Sequence, residues 1–310
     1  MTGDLEAELL AELRQLATHP AARGLVDDCA LLDWPLGLQL VATHDMLAEG
    51  VHFTPDCPPA DIGWKLVAVN LSDLAASGAR PVGLLMGAGI GSERDPAWAR
   101  EIVRGMAQAM ARYDVPLLGG DTIRSGSTSV LALTALGSVP AGKAFARTGA
   151  QPGDDLWVSG TIGDAGLGLQ IALGRRAHDA TLLKRYRRPT PRLSMGIALR
   201  GIATACMDVS DGLLLDASRL ATASGLAVNI ESAAIPLSRQ ALGSGVAPLA
   251  LAGMGDDCEL LFSAPAVLRD SVLAAAGRSR TPVARIGDFS SGAGLRVDGA
   301  PADPVGYQHR

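Results

Sequence analysis

The chain has 310 residues, 48% hydrophobic and 19% charged, with 37 Gly, 18 Pro and a formal charge of −5 from 27 basic and 32 acidic residues. That length allows two domains, each burying its own core, and the composition excludes a disordered chain and fits compact α/β or α+β layers. With no long basic run, nucleic acid and anionic membranes are not expected as partners, and a small-molecule substrate is.

The N-terminus, MTGDLEAELLAELRQLA, is acidic and amphipathic, lacks the basic and apolar blocks of a secretory signal, and reads as a short helix over 5–17. No apolar run reaches about 18 residues. Cys29, Cys57, Cys206 and Cys258 are far apart and form no C-x-x-C pair, so free thiols and a soluble, cytoplasmic protein are expected.

Residues 38–42 read as a strand delivering Thr43, His44 and Asp45 at its carboxyl end, where ligands usually bind. A helix follows Pro58 and Pro59, opened by Asp61 and running to about Ala76, with Ile62, Leu66, Val69 and Leu74 at helical spacing. Asn70 and Asp73 share one face of it. An Asp in a last helical turn opposes the macrodipole, a cost that a bound cation would offset.

PVGLLMGAGIG from Pro81 reads as a strand, and Asp95-Pro96 as the N-cap and first-turn proline of a helix to about Arg112. VPLLGGD reads as a short buried strand ending in two glycines and Asp121, where the backbone can approach a phosphate and the carboxylate can hold its metal. Residues 128–139 complete a βαβ-rich half whose helices would cover one face of a sheet.

Residues 140–155 concentrate Gly, Pro and polar side chains, which divides the chain into domains 1–145 and 146–310. In the second half SGTIGDAGLGL, 159–169, reads either as a tight turn or as a phosphate site at a helix N-terminus. KRYRRPTPR, 184–192, reads as a solvated loop or a phosphate clamp. CMDVSDGLLLDASRLATASG places Asp208 and Asp211 about Ser210 at a strand-to-helix turn, stopped by Gly225 in the C′ position. GMGDDCELLF sets Asp256 and Asp257 before a buried strand, and TPVARIGDF makes another.

Six aspartates, Asp28, Asp45, Asp73, Asp121, Asp208 and Asp211, thus sit in segments otherwise built from Gly, Ala, Val, Leu and Ser. A carboxylate entering apolar surroundings needs a cation or several hydrogen bonds, and the matching basic residues are mostly absent. Taken singly, each also suits a helix cap or a turn; six together point to divalent ions bridging carboxylates to a polyphosphate.

The set VDDCALL (26–32), THDMLAEGVHF (43–53), KLVAVNLSDLAASGARP (65–81), LLGGDT (117–122), ARTGAQPGD (146–154), MDVSDGL (207–213) and GDDCELLF (255–262) resembles the thiamine-monophosphate kinase family, of the aminoimidazole ribonucleotide synthetase-like superfamily, in order and spacing over nearly the whole chain. The resemblance implies an N-terminal α/β domain whose sheet pairs with that of a second subunit into a shared barrel, a C-terminal α+β domain, and ATP in the cleft between the domains. It implies Mg2+ on Asp28, Thr43, Asp45, Asp73, Asp121 and Asp208, with a further ion on Asp211. The nucleotide would meet Tyr113, Gly120, Asp121, Arg147 and Ser210, with Arg147 as charge stabiliser, and thiamine monophosphate would meet His52, Asp256 and Tyr307. The implied reaction is direct in-line transfer from ATP to thiamine monophosphate in a homodimer.

Val26, His44 and Cys258 depart from the family's more usual Gly, Thr and Tyr, and the imidazole of His44 could perturb or join the ligand set. Two alternatives use the same acidic motifs: a related ATP-dependent synthetase with another acceptor, and a nucleotide-binding protein with impaired catalysis.

Overall fold

The structure is a computed structural model that describes residues 5–25 and 29–308. Asp28 and Val26, both singled out above, lie outside the described residues. Contacts divide the chain into two compact units, one of residues 1–74 and 80–141, the other of 75–79 and 142–310. No helix among the described residues is long and apolar enough to cross a membrane.

The first unit begins with α1 (Leu5–Leu16), followed by β1 (Leu38–Ala48), α2 (Pro59–Ala76), β2 (Arg80–Ile90), α3 (Pro96–Tyr113), β3 (Leu117–Arg124) and β4 (Val130–Pro140). The expected helix beginning at Asp95 is present: the Asp95 side chain accepts from the Trp98 amide at 2.8 Å and Pro96 occupies the first turn. The four strands form one sheet in the order β1-β4-β2-β3, antiparallel except for the β2–β3 pair.

Two strands are longer than the sequence suggests. β1 continues through Thr43, His44 and Asp45 to Ala48, so these residues lie mid-strand and not at a carboxyl end. Pairing with β4 is unbroken from Leu38↔Pro140 to Ala48↔Val130, and it carries the three polar residues along. β3 likewise continues past Asp121 to Arg124. Gly120 is needed there for a close approach inside the sheet: a side chain at this position would collide with the Met86 carbonyl.

Alternation along the strands gives the sheet two unlike faces. The row Asp45–Leu133–Met86–Gly120 and every second row from it turn toward the helices, with Leu84, Leu131, Leu133 and Ala135 fully buried. The row Met46–Ala132–Gly87–Asp121 belongs to the other face, where Leu40, Met46 and Ile123 remain 53%, 51% and 60% exposed.

The second unit contains β5 (Asp154–Ser159), α4 (Asp164–Ala172), α5 (Ala180–Arg187), α6 (Leu193–Ala198), β6 (Ala205–Val209), α7 (Leu213–Ala223) and β7 (Leu226–Ile230). It ends with α8 (Arg239–Leu242), α9 (Pro248–Ala252), β8 (Glu259–Pro265), α10 (Arg269–Ser279), β9 (Val283–Ser291), β10 (Gly294–Val297) and β11 (Ala300–Pro301). A seven-stranded mixed sheet runs β11-β10-β7-β9-β5-β8-β6. Leu213, Leu214, Ala217 and Leu220 press the apolar stripe of α7 into a core with Val158, Met207, Val228 and Phe289. As the sequence suggests, Gly225 follows the last helical turn, with φ 69.

Candidate functional site

In the first unit α2 meets the helix-facing side of β1 through polar groups. Thr43 Oγ1 donates to Asp73 Oδ2 at 2.5 Å, and the Asp45 amide donates to Asn70 Oδ1 at 3.0 Å. The face shared by Asn70 and Asp73 is therefore the face that reads β1. Burial and the neighbouring charge of Asp73 push the Asp45 carboxyl up to about 6, with His44 opposing. Two carboxylates and a hydroxyl thus converge, and for Asp45 burial and the charge of Asp73 together outweigh the opposing charge of His44.

Hard oxygen donors of this kind fit Mg2+, which keeps several waters and takes few protein ligands. Among the described residues no three His, Cys, Asp or Glu side chains gather as a ready-made cage, so an ion here would complete its shell with water and phosphate oxygens. His44 is not part of this group. It points to the opposite face, with Nδ1 2.9 Å from Thr134 Oγ1.

Asp121 lies elsewhere. It occupies the exposed-face row on β3, three strand steps or ~14 Å from β1, and its Oδ1 accepts from the Thr122 amide at 2.8 Å. Tyr113 closes α3 with its ring edge-on to Trp64, centroids 6.0 Å apart. His52 lies just beyond β1, where its Nδ1 accepts from the Ala48 amide at 3.1 Å and its carbonyl accepts from Lys65 Nζ at 3.2 Å.

In the second unit the strand-to-helix turn after β6 gathers the remaining residues. The Asp256 amide donates to the Ser210 carbonyl and the Tyr307 amide to the Asp211 carbonyl, both at 2.8 Å, so the 255–258 loop and the C-terminal tail both dock on this turn. Asp256 and Cys258 have φ values of 71 and 52, a left-handed backbone that costs ~1–2 kcal/mol at a non-glycine residue. The Cys258 amide repays part of that by donating to the Val209 carbonyl at 3.0 Å. Arg147 is exposed in a segment beside β6, where the Cys206 amide donates to the Ala146 carbonyl at 3.0 Å.

Three acidic residues have structural roles that the sequence reading missed. Asp216 is fully buried, and its Oδ2 accepts from the amides of Ser210 at 3.1 Å and Asp211 at 3.0 Å. The helix start therefore takes its carboxylate from within α7, since Gly212 at the N-cap supplies no side chain. An acid on the apolar stripe of Leu213, Ala217 and Leu220 was the available signal.

Asp257 accepts from the amides of Gly163 at 2.7 Å and Ala165 at 3.2 Å. It fills the N-terminus of α4, so the glycine-rich segment is a turn closed by the chain's own carboxylate and is not open to phosphate. Burial pushes Asp257 up to about 8 despite those amides and Arg185. Glu259, also fully buried, accepts from Arg185 Nη2 at 2.8 Å and Arg192 Nε at 2.6 Å. These two members of the basic stretch are internal counter-ions, neither a solvated loop nor a phosphate clamp.

Asp208 is buried in β6, and Asp211 is held by Arg219 Nη1 at 2.5 Å. A metal on Asp211 would have to share the carboxylate with that guanidinium.

Fold and site together define a two-domain protein of the AIR synthase related class. The family model for the AIR synthase related protein N-terminal domain matches residues 26–139 and that for the C-terminal domain matches 151–299. The thiamine-monophosphate kinase of Escherichia coli (strain K12) is 40% identical over 301 residues, 92% of this chain and 91% of the relative, and that of Caulobacter vibrioides is 39% identical over 89% and 81%.

The crystal structure of thiamine-monophosphate kinase from Stenotrophomonas maltophilia K279a superposes with a TM-score of 0.85 at 39% identity, covering 95% of this chain and 97% of its own. AaThiL complexed with AMPPCP and TMP gives 0.80 at 31% identity over 92% and 91%. The chain belongs to the thiamine-monophosphate kinase family.

Proposed function

We propose that this chain transfers the γ-phosphoryl group of ATP to the phosphate of thiamine monophosphate, giving thiamine diphosphate and ADP, with Mg2+ as the accompanying ion. Kinship with the thiamine-monophosphate kinases and the AMPPCP and TMP held by AaThiL support the substrates. The observation that carries the metal is the meeting of Asp45, Asp73 and Thr43, with Asp45 pushed up to about 6 by burial and its neighbour.

The attacking phosphate oxygen is already anionic near neutral pH, so the chain has little need of a general base; the difficulty is the approach of two polyanions. Bound at the carboxylates, Mg2+ would supply charge neutralisation and align the phosphate oxygens. Thr43 fixes the Asp73 carboxylate by hydrogen bonding, and Asn70 fixes the Asp45 backbone. Arg147, exposed beside β6, is assigned to charge developing on the transferred group. Tyr113, Gly120 and Ser210 are assigned to the nucleotide, and His52, Asp256 and Tyr307 to the acceptor. Asp28, Asp208 and Asp211 remain proposed ligands.

Ligand distances of 2.0–2.1 Å mean that two carboxylates sharing one ion lie within ~5 Å, so Asp121, ~14 Å across the sheet from Asp45, would serve a different ion in the same chain. The one-sided sheet supports a homodimer closed over Leu40, Met46 and Ile123, and the composition supports a cytoplasmic setting. Purified chain incubated with ATP, thiamine monophosphate and Mg2+ should form thiamine diphosphate and ADP in equal amounts, and chelator should abolish both. Folded protein that yields neither refutes the reading.

A further inference from the structure

Asp216 has no place among the ligand contacts assigned above, yet its surroundings are built around the turn that carries them. A fully buried carboxylate on an apolar helix stripe costs several kcal/mol unless donors surround it, and here the donors come from the turn itself. Oδ2 takes the consecutive amides of Ser210 and Asp211. Oδ1 takes Arg219 Nη1 at 2.9 Å, and the same nitrogen reaches Asp211 Oδ2 at 2.5 Å.

Two successive amides converging on one oxygen fix the orientation of both peptide planes, and therefore the directions in which the Ser210 hydroxyl and Asp211 carboxylate leave the backbone. The bridging guanidinium then fixes the Asp211 side chain directly. Nearby carbonyls of the turn, Ser210 O and Asp211 O, anchor Asp256 and Tyr307.

We propose that Asp216 is a positioning residue for the nucleotide-phosphate turn, acting through the Ser210 and Asp211 amides and through Arg219 without touching substrate. This rests on the phosphotransfer reading above. Asn at 216 keeps the size but replaces one acceptor oxygen with a donor, so it cannot serve both the amides and Arg219.

The test is calorimetric binding of a Mg2+-bound methylene analogue of ATP to the full chain. Asp216→Asn should weaken binding about tenfold or more, as loss of an outer-shell partner commonly does. In an Asp211→Asn background the same change should cost less than about threefold, because the two act through one unit. Purely structural damage would instead give equal losses in both backgrounds, and that result overturns the proposal.

Because Asp216→Asn can fail to fold, Arg219→Gln provides the second variant: it leaves the amide contacts and removes the bridge. It should weaken binding about threefold with the melting temperature within a few degrees of wild type. Wild-type binding by every folded variant overturns the proposal alone. A wild-type chain that binds no nucleotide removes the phosphotransfer reading and this inference with it.

Discussion

Asp45 and Asp73 repel each other across a partly buried gap, and the consequence is a pH dependence opposite to that of an ordinary ion pair. Burial and Asp73 push Asp45 up to about 6, and burial pushes Asp257 up to about 8, both from 3.8 in the free side chain. Between ~4 and 8 the folded chain therefore holds more protons than the unfolded chain, so stability falls as pH rises across that window. In Asp155 and Glu49 burial is outweighed by arginine partners, and their lowered values act only at the acid end, below 3.8 and 4.5. Thermal melts in chelator should show Tm falling from pH 5 to 8, with the pH 5–6 part flattened in Asp45→Asn. Saturating Mg2+ should raise the wild-type Tm more at pH 7.5 than at pH 5, because ion and proton compete for the same carboxylate. A chelated Tm that climbs between pH 5 and 8 would contradict the burial of these groups.

The same residues show what one sequence can and cannot disclose at this scale. Asp45 and Asp73 stood out as acids in apolar segments, and in the structure the charge of Asp73 bears directly on Asp45. Asp216 and Asp257 have equally apolar neighbours, but backbone amides satisfy them, from residues 5 to 94 positions away in the chain. Amides are present at every non-proline position, so composition carries no trace of that partnership.

Helices were more legible than strands. The extents of α1 and α3 and the end of α2 follow from apolar spacing and from Asp95-Pro96, which are local properties of the chain, whereas α2 begins at Pro59, ahead of the expected Asp61. β1 extends beyond its apolar stretch because β4 offers eleven partners in register and α2 supplies bonds for Thr43 and Asp45, information that lies 25 to 102 residues away. The basic stretch was misread for a similar reason. Arg185 on α5 and Arg192 before α6 reach Glu259 at the start of β8, tying two helices to the sheet through one enclosed carboxylate.

Removing one side of such a group strands the other. Glu259→Ala should cost about 3–5 kcal/mol, read as a lower urea midpoint with an unchanged slope. A loss under ~1 kcal/mol would mean that water reaches both guanidinium groups.

At the scale of the whole molecule, the order of acidic motifs along the chain carried the family, whereas assembly has to be argued from surface. The first unit covers one face of its sheet with helices and leaves the large apolar side chains of Leu40, Met46 and Ile123 more than half exposed on the other. A second copy is the proposed cover, and the two faces make the idea separable from metal binding at Asp45 and Asp73, because Thr43 and Asp45 alternate away from Met46. Sedimentation should give twice the 31.8 kDa chain mass. The double change Met46→Lys with Ile123→Lys places two charges in the proposed interface and should give monomers. Those monomers should still gain Tm with Mg2+, since the Asp45–Asp73 pair is untouched, while turnover falls at least tenfold. If the charged variant sediments as a dimer, the open face is not the interface. If monomers turn over at the wild-type rate, one chain alone completes the phosphate site.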